Sequence, residues 1–290
     1  MKYLIFNFNM AEDTDKIYSK LLFDGVDFND IYIVDNGSEY IERHPKTKIQ
    51  IGKNNFLPSA MRVAFNIMLD KYPMENYVSI TTSAKLLDDV NYKDCIESSV
   101  EKIPSSMRDV FCLTATYIFE NKNKLLSDIM YRGTGKLILY PYLPQFVMSV
   151  MSYGAIMFQK GNSIGFYNKD CLRGHGCDLE LTYALSCENK WILSSDGLPV
   201  IWKINNTHVM GKATENVRSY HTKARKEYQA SFALKYGVFW EMKFYLKRLH
   251  RILIVNVNMW CNIRKSKIVD ARYMFSMTMS FFIQFIKDKL

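Results

Sequence analysis

"IYIVDNGSEY", residues 31–40, decides the fold. Ile31 to Val34 is an apolar run that breaks abruptly into Asp35-Asn36-Gly37-Ser38. An apolar run closed by turn residues reads as a strand over residues 30–34 with a turn at its carboxyl end. Working outward, "KYLIFNFN" at 2–9 reads as an earlier strand. Residues 11–23 read as a helix, because Ile17, Leu21 and Leu22 recur at helical spacing. Downstream, 47–52 is a short strand, and Pro58 sits in the first turn of a helix carried on by "SAMRVAFNIMLDKY". Residues 77–81 form another strand, and 109–118 a longer, more exposed one. Strand alternating with helix predicts an α/β fold with a mostly parallel sheet and crossover helices.

Beyond residue 120 the pattern changes. "YRGTGKLILYPYLPQF" places turn residues around a short strand, and "SYGAIMFQK" is a strand opening at a glycine. "GCDLELTYALSCEN" reads as a helix, followed by two short strands, "KWILS" and "LPVIW". From about Ser219 the chain is aromatic, basic and helical. A boundary near residue 215 therefore divides an α/β core (1–215) from a helical C-terminal extension (216–290).

Nearly half of the 290 residues are apolar, enough for a sizeable core. The net charge of +9, with Lys and Arg concentrated late, favours anionic partners: nucleotide phosphates, nucleic acid or an anionic membrane face. The six cysteines are scattered without a CxxC pair, which argues against a zinc site or a disulfide framework. The opening segment has no small-residue cleavage site and reads as a strand, not a leader. No apolar run reaches about 18 residues, so no spanning helix is expected. The expected location is cytoplasmic, with peripheral membrane contact open.

Ligands of open parallel sheets bind beyond the carboxyl ends of the strands. Asp35 and Asn36 stand at such an end, where a carboxylate can accept from a base N–H or a ribose hydroxyl. The same four residues are also good turn chemistry. Asn7 and Asn9, at the end of the first strand, either line the same pocket or cap the strand.

The succession "KYLIFNFN", "IYIVDNGS", "GKNNFLPSAMRVAFNIML", "YVSIT" resembles the nucleotide-sugar half of family-2 glycosyltransferases with the GT-A fold. Asn54, Asn55, Ala64 and Asn66 stand where that pattern has its asparagines and alanine. "GAIMFQKGNSIGFYN" and "LRGHGCDLELTYALSCENKWILSSDGLPVIWK" resemble the family's acceptor-side block, and "THVMGKAT" the histidine segment that closes it. The resemblance covers roughly residues 1–215. It implies a GT-A-like core that moves a sugar from a nucleotide-sugar donor to an acceptor hydroxyl with inversion, Asp35 contacting the base.

In "HGCDLEL" the resemblance places Asp178 as general base, with Cys177 where the family has another acid. A carboxylate within reach of the acceptor hydroxyl can take its proton as it attacks. An Asp before an apolar helical run is equally a favoured N-cap. His175, just upstream, reads as an exposed loop histidine or a phosphate contact.

The family also implies a divalent cation, Mn or Mg, held by an acidic motif after the third main strand. Here that strand runs "YVSITTSAKLLDD", with no carboxylate at 81–83 and Asp88 and Asp89 arriving late. Three accounts stay open. Asp88 or Asp89 holds a metal; Lys85, Arg132 or Lys136 neutralises the diphosphate; or catalysis is lost and a sugar-nucleotide-binding protein remains. His208 is either a diphosphate or metal contact or a structural histidine. "RGTGK" at 132–136 lacks the spacing of a Walker loop and reads as a basic lid.

Aromatics recur every three to four residues in the tail, at Tyr228, Phe232, Tyr236, Phe239, Trp240 and Phe244, with cations between them. Such helices pack on a core, lie on an anionic membrane or hold nucleic acid. The acceptor is open; the resemblance implies a bacterial surface glycan or its lipid-linked precursor. The rival is a hydroxylated base in DNA, which has to leave the stack to reach Asp178.

Overall fold

The computed structural model describes residues 1–54, 56–82, 84–101, 110–119, 137–139, 156–160, 191–202 and 217–240. Among these, nine strands join one sheet. They are β1 (Lys2–Asn7), β2 (Ile31–Asn36), β3 (Thr47–Ile51), β4 (Asn76–Thr81), β5 (Ala84–Lys85), β6 (Val110–Phe119), β7 (Leu137–Leu139), β8 (Ile156–Lys160) and β9 (Trp191–Trp202). The helices are α1 (Ala11–Phe23), α2 (Phe56–Lys71), α3 (Tyr92–Glu101) and α4 (Val217–Tyr236).

The order β3-β2-β1-β4 is parallel throughout, and its apolar runs are buried as a sheet covered on both faces requires. Alternate residues serve the two faces. Leu4, Phe6, Tyr32, Val34, Ile49 and Ile51 pack under Ala60, Met61, Ala64, Phe65 and Met68 of α2. Tyr3, Ile5, Ile31 and Ile33 are the buried residues of opposite parity, on the other face. The fold class expected from the sequence, α/β with a mostly parallel sheet flanked by helices, is the one found in this half.

The other half is mixed. β8 runs antiparallel to both β4 and β6, β9 runs parallel to β6, and β5 and β7 are antiparallel to β9. The two short strands expected at "KWILS" and "LPVIW" are one twelve-residue strand. The Asp196-Gly197 pair that reads as a turn is absorbed as a bulge. Ala115 pairs with Ser195 and Thr116 with Pro199, so three residues of β9 are passed over without breaking the ladder. Pro199, which has no N–H to give, sits at that irregularity. The second strand likewise continues past residue 34, through Asp35 and Asn36, and the first stops at Asn7.

The strand order has a further consequence. β5 follows β4 by two residues, yet three strands lie between them in the sheet. In a flat sheet the two would be about 19 Å apart. The chain from Thr81 to Ala84 spans at most about 11 Å. The sheet therefore curls back, bringing the Ile201–Trp202 end of β9, which pairs with Ala84–Lys85, toward the carboxyl end of β4.

Tyr228 and Phe232 of α4 and Trp240 just beyond it meet edge to face at centroid separations of 5.0 to 6.2 Å, with Phe232 and Trp240 buried. Aromatics at helical spacing thus pack together here, while Leu234, Val238 and Phe239 are exposed. The rest of the expected helical extension, residues 241–290, lies outside the described residues. No described helix is long and apolar enough to cross a membrane.

Candidate active site

Three parallel strands, β1, β2 and β4, deliver their carboxyl ends side by side, and the loops that leave them are tied into one polar cluster. Asn7 and Asp35 are register partners on neighbouring strands. Asn7 Nδ2 donates to Asp35 Oδ2 (3.2 Å) and to the Glu42 carbonyl (3.1 Å), with Ser38 Oγ at 3.4 Å. Its Oδ1 accepts from the Met10 N–H (3.1 Å). Asn7 is thereby fully engaged at 1% exposure, and it supplies the polar partner that α1 lacks from its own N-cap side chain.

Asp35 is wholly buried. Its Oδ1 accepts from the N–H groups of Gly37 (3.1 Å) and Ser38 (3.0 Å), and the Arg43 guanidinium lies 3.9 Å away. The carboxylate closes the turn that ends β2, a local pattern for which Asp is well suited. Both of its oxygens are occupied by protein donors. Asn36 points to the opposite face, where its Nδ2 donates to Asn54 Oδ1 (3.0 Å) at the mouth of α2. Asn9 adopts a left-handed φ of 53°, receives Glu39 N–H on its Oδ1 (2.8 Å) and gives its own N–H to Ser38 Oγ (2.9 Å).

Gly37 is fixed twice over. Its φ is +78°, and a Cβ there would lie 2.3 Å from the backbone carbon of Lys53. The glycine lets the β2–β3 loop pass against the β3–α2 turn, which leaves the Lys53 side chain exposed at this edge. On the β4 side, Thr82 Oγ1 reaches Met10 Sδ (3.4 Å), joining the end of β4 to the start of α1. The sequence reading missed Ser38, Gly37, Arg43 and Lys53. Ser38 and Gly37 were present in the "DNGS" signature; Arg43 and Lys53 are brought in only by loop packing.

The remaining expected residues fall into two groups. Lys85 is exposed in β5, where the curled sheet carries it toward the β4 end. Asp88 and Asp89 are exposed and belong elsewhere. They precede Val90, whose carbonyl accepts from Lys20 Nζ (2.7 Å), and Tyr92, whose N–H donates to Asp24 Oδ2 (2.9 Å). Lys20 is ten residues past Met10, about 15 Å down α1 from the strand ends. The structure does not bring this acid pair to Asp35. Among the described residues no group of three or more His, Cys, Asp or Glu could hold a metal. Asn55, Arg132, Lys136, His175, Asp178 and His208 lie outside the described residues.

Beside the strand ends, His44 is buried with its Nδ1 accepting from Lys46 N–H (3.2 Å) and its Nε2 3.2 Å from Asp15 Oδ1. In the neutral ring that arrangement puts the hydrogen on Nε2. The pair clamps the β2–β3 loop to α1.

No protein-family model and no curated protein matches the sequence. Among solved structures, the chain is similar to a mannosyltransferase from Pyrobaculum calidifontis in complex with GDP-mannose and Mn2+. The identity is 11%, over 96% of this chain and 79% of that one, with a TM-score of 0.47. A likeness of that degree says nothing about activity or ligand.

Proposed function

We propose that the protein is a nucleotide-sugar-dependent glycosyltransferase, with the donor seated over the carboxyl ends of β1, β2 and β4. The observation that carries this is the way three parallel strands end in one tied cluster while the curled sheet returns β5 toward it. A crevice at strand ends, where connections diverge to both faces, is where open α/β sheets take nucleotides. The order of motifs in the sequence points the same way.

In this proposal the roles at β2 divide. Asp35 shapes the turn, because its oxygens are taken. Asn36, on the α2 face with Asn54, and Asn9, half-buried in the β1–α1 loop, face the base and ribose. Lys53, Arg43 and Lys85 supply positive charge at the edge for the diphosphate, with Arg132, Lys136 and His208 as further candidates. The described residues do not form a metal site at the strand ends, so no step is assigned to a metal. Asp178 takes the proton of the acceptor hydroxyl. The acceptor's oxygen bonds to the anomeric carbon as the carbon–oxygen bond to the diphosphate breaks, and the nucleoside diphosphate leaves with the electron pair. The acceptor is a glycan or lipid-linked precursor; the second reading, favoured by the +9 charge, is a hydroxylated base in DNA.

The test is turnover of nucleotide sugars by the full chain and by Asp178→Asn, with donor binding measured on both. Retained binding and lost turnover support the assignment; equal turnover removes Asp178 from it. Salt-sensitive retention of DNA in a gel favours the nucleic-acid acceptor. Flotation with anionic vesicles favours the lipid-linked one.

A further inference from the structure

At the opposite edge, where the strands begin, a second polar cluster plays no part in the proposed reaction. Tyr32 of β2 donates its hydroxyl to that of Tyr72, just past α2 (2.8 Å), and the two rings meet edge to face at 6.1 Å. Three ammonium groups surround them. Lys2 Nζ lies 4.4 Å and Lys71 Nζ 5.2 Å from the centre of the Tyr72 ring, and Lys48 Nζ 4.7 Å from that of Tyr32. One carboxylate, Asp30, is bonded to Lys2.

Lys48 feels the other two cations. Burial lowers the Lys48 pKa, and Lys2 and Lys71 lower it further, against the opposing pull of Tyr72 and Asp30. The Tyr72 phenol is held below its usual range by the Tyr32 hydrogen bond and by one with Lys71. Lys48 Nζ gives one of its three hydrogens to the Phe28 carbonyl (2.8 Å) and keeps two, and the end of α2 does not consume these donors. The single hydrogen of Tyr77 Oη is shared between the carbonyls of Met68 (3.1 Å) and Tyr72, the residue after the helix. Having accepted from Tyr32, the Tyr72 hydroxyl keeps its own hydrogen to donate.

We propose that Lys48, Lys71 and Tyr72, with Lys2 behind them, form a binding site for a soluble phosphate-type dianion: inorganic phosphate or a small phosphomonoester. Clustered ammonium donors and one phenol O–H match the charge and acceptor oxygens of such a group. Acidic residues bound the cluster. Glu75 is tied to the Met1 amino group, Asp27 closes the turn before β2, and Asp70 is exposed beside Lys71. Their charges disfavour an extended polyanion more than a compact anion. Because the cluster lies at the strand starts, its ligand is distinct from the leaving diphosphate.

The experiment follows the tyrosine absorbance of the full chain during alkaline titration, with phosphate or with chloride at matched ionic strength. Phosphate is expected to raise the midpoint of the phenol titration that Tyr72→Phe removes, and Tyr72→Phe to abolish that phosphate effect. In Lys48→Gln/Lys71→Gln the phosphate affinity should fall at least about tenfold, the size expected when charge-assisted bonds are removed. Lys16→Gln, an exposed lysine paired with Glu12, should change nothing. Unchanged affinity in the double variant overturns the site. So does the absence of any phosphate effect in the wild-type chain, or binding to phosphatidate vesicles without binding to soluble phosphate.

Discussion

Asn7 Nδ2 and Asp35 Oδ2 meet 3.2 Å apart across the β1–β2 pair, both residues buried. This contact joins the two loops on which the donor would rest. Asp35 holds three protein donors, and removing it leaves Asn7 Nδ2 and the N–H groups of Gly37 and Ser38 short of an acceptor. Each unsatisfied buried donor costs about 1–3 kcal/mol, so Asp35→Ala should destabilise by about 3 kcal/mol in urea unfolding. Asn36→Ala should instead weaken nucleotide binding while changing stability less. A stable Asp35→Ala that loses the nucleotide would reverse the two roles.

Glycines 25 and 37 provide a paired test of close packing. Both have positive φ, +83° and +78°, but a Cβ at Gly25 meets nothing within 4 Å, whereas at Gly37 it strikes the Lys53–Asn54 backbone. Gly25→Ala should therefore cost about 1 kcal/mol, the backbone penalty alone. Gly37→Ala should cost clearly more and should displace the β3–α2 turn, as read by unfolding and by lowered nucleotide affinity.

Tyr3 is 3% exposed on β1, and its hydroxyl has no hydrogen-bond partner among the described residues. Replacing an orphaned buried hydroxyl by hydrogen removes a desolvation cost with little loss of packing. Tyr3→Phe should raise stability, by about 1 kcal/mol on the same scale. A loss of stability in calorimetry would mean that the hydroxyl has a partner in solution.

Alkaline pH should unfold the protein early. Burial pushes the phenols of Tyr3, Tyr32 and Tyr92 up, and that of Tyr77 to about 12. Below the ordinary phenol value of 10.0 both states keep these protons and the full stability is present. Above it the unfolded chain releases protons that the folded chain retains, so stability falls as pH rises toward 12. Tyr72, whose phenol is lowered, works the other way and offsets part of the loss. The urea midpoint should be lower at pH 11 than at pH 9, and the drop should be smaller in Tyr3→Phe.

The parallel half was legible because its signals are local. The apolar run at 31–34, the helical spacing of Ile17 and Leu21, and Pro58 at a helix start each announce an element without help from elsewhere. The mixed half was not. Asp196-Gly197 has turn chemistry, and only the ladder with β6, eighty residues upstream, keeps β9 continuous through it. In the site, sequence named Asn7, Asn9, Asp35 and Asn36 together, and they do gather at neighbouring strand ends. Sequence could not tell that Asp35 spends its oxygens on the protein, since that depends on Asn7 28 positions away. Nor could it send Asp88 and Asp89 down α1, a matter of where Val90 and Tyr92 dock.

The central claim is that a nucleotide sugar binds at the β1, β2 and β4 ends, and thermal stability against a panel of nucleoside diphosphates and nucleotide sugars, with and without Mn2+, tests it most directly. A ligand that binds only the folded state at a hundred times its Kd adds about 2.7 kcal/mol. The account predicts a clear rise in Tm for at least one nucleotide sugar, reduced in Asn36→Ala and unchanged in Lys48→Gln/Lys71→Gln. No shift with any member of the panel, with or without the metal, would contradict it.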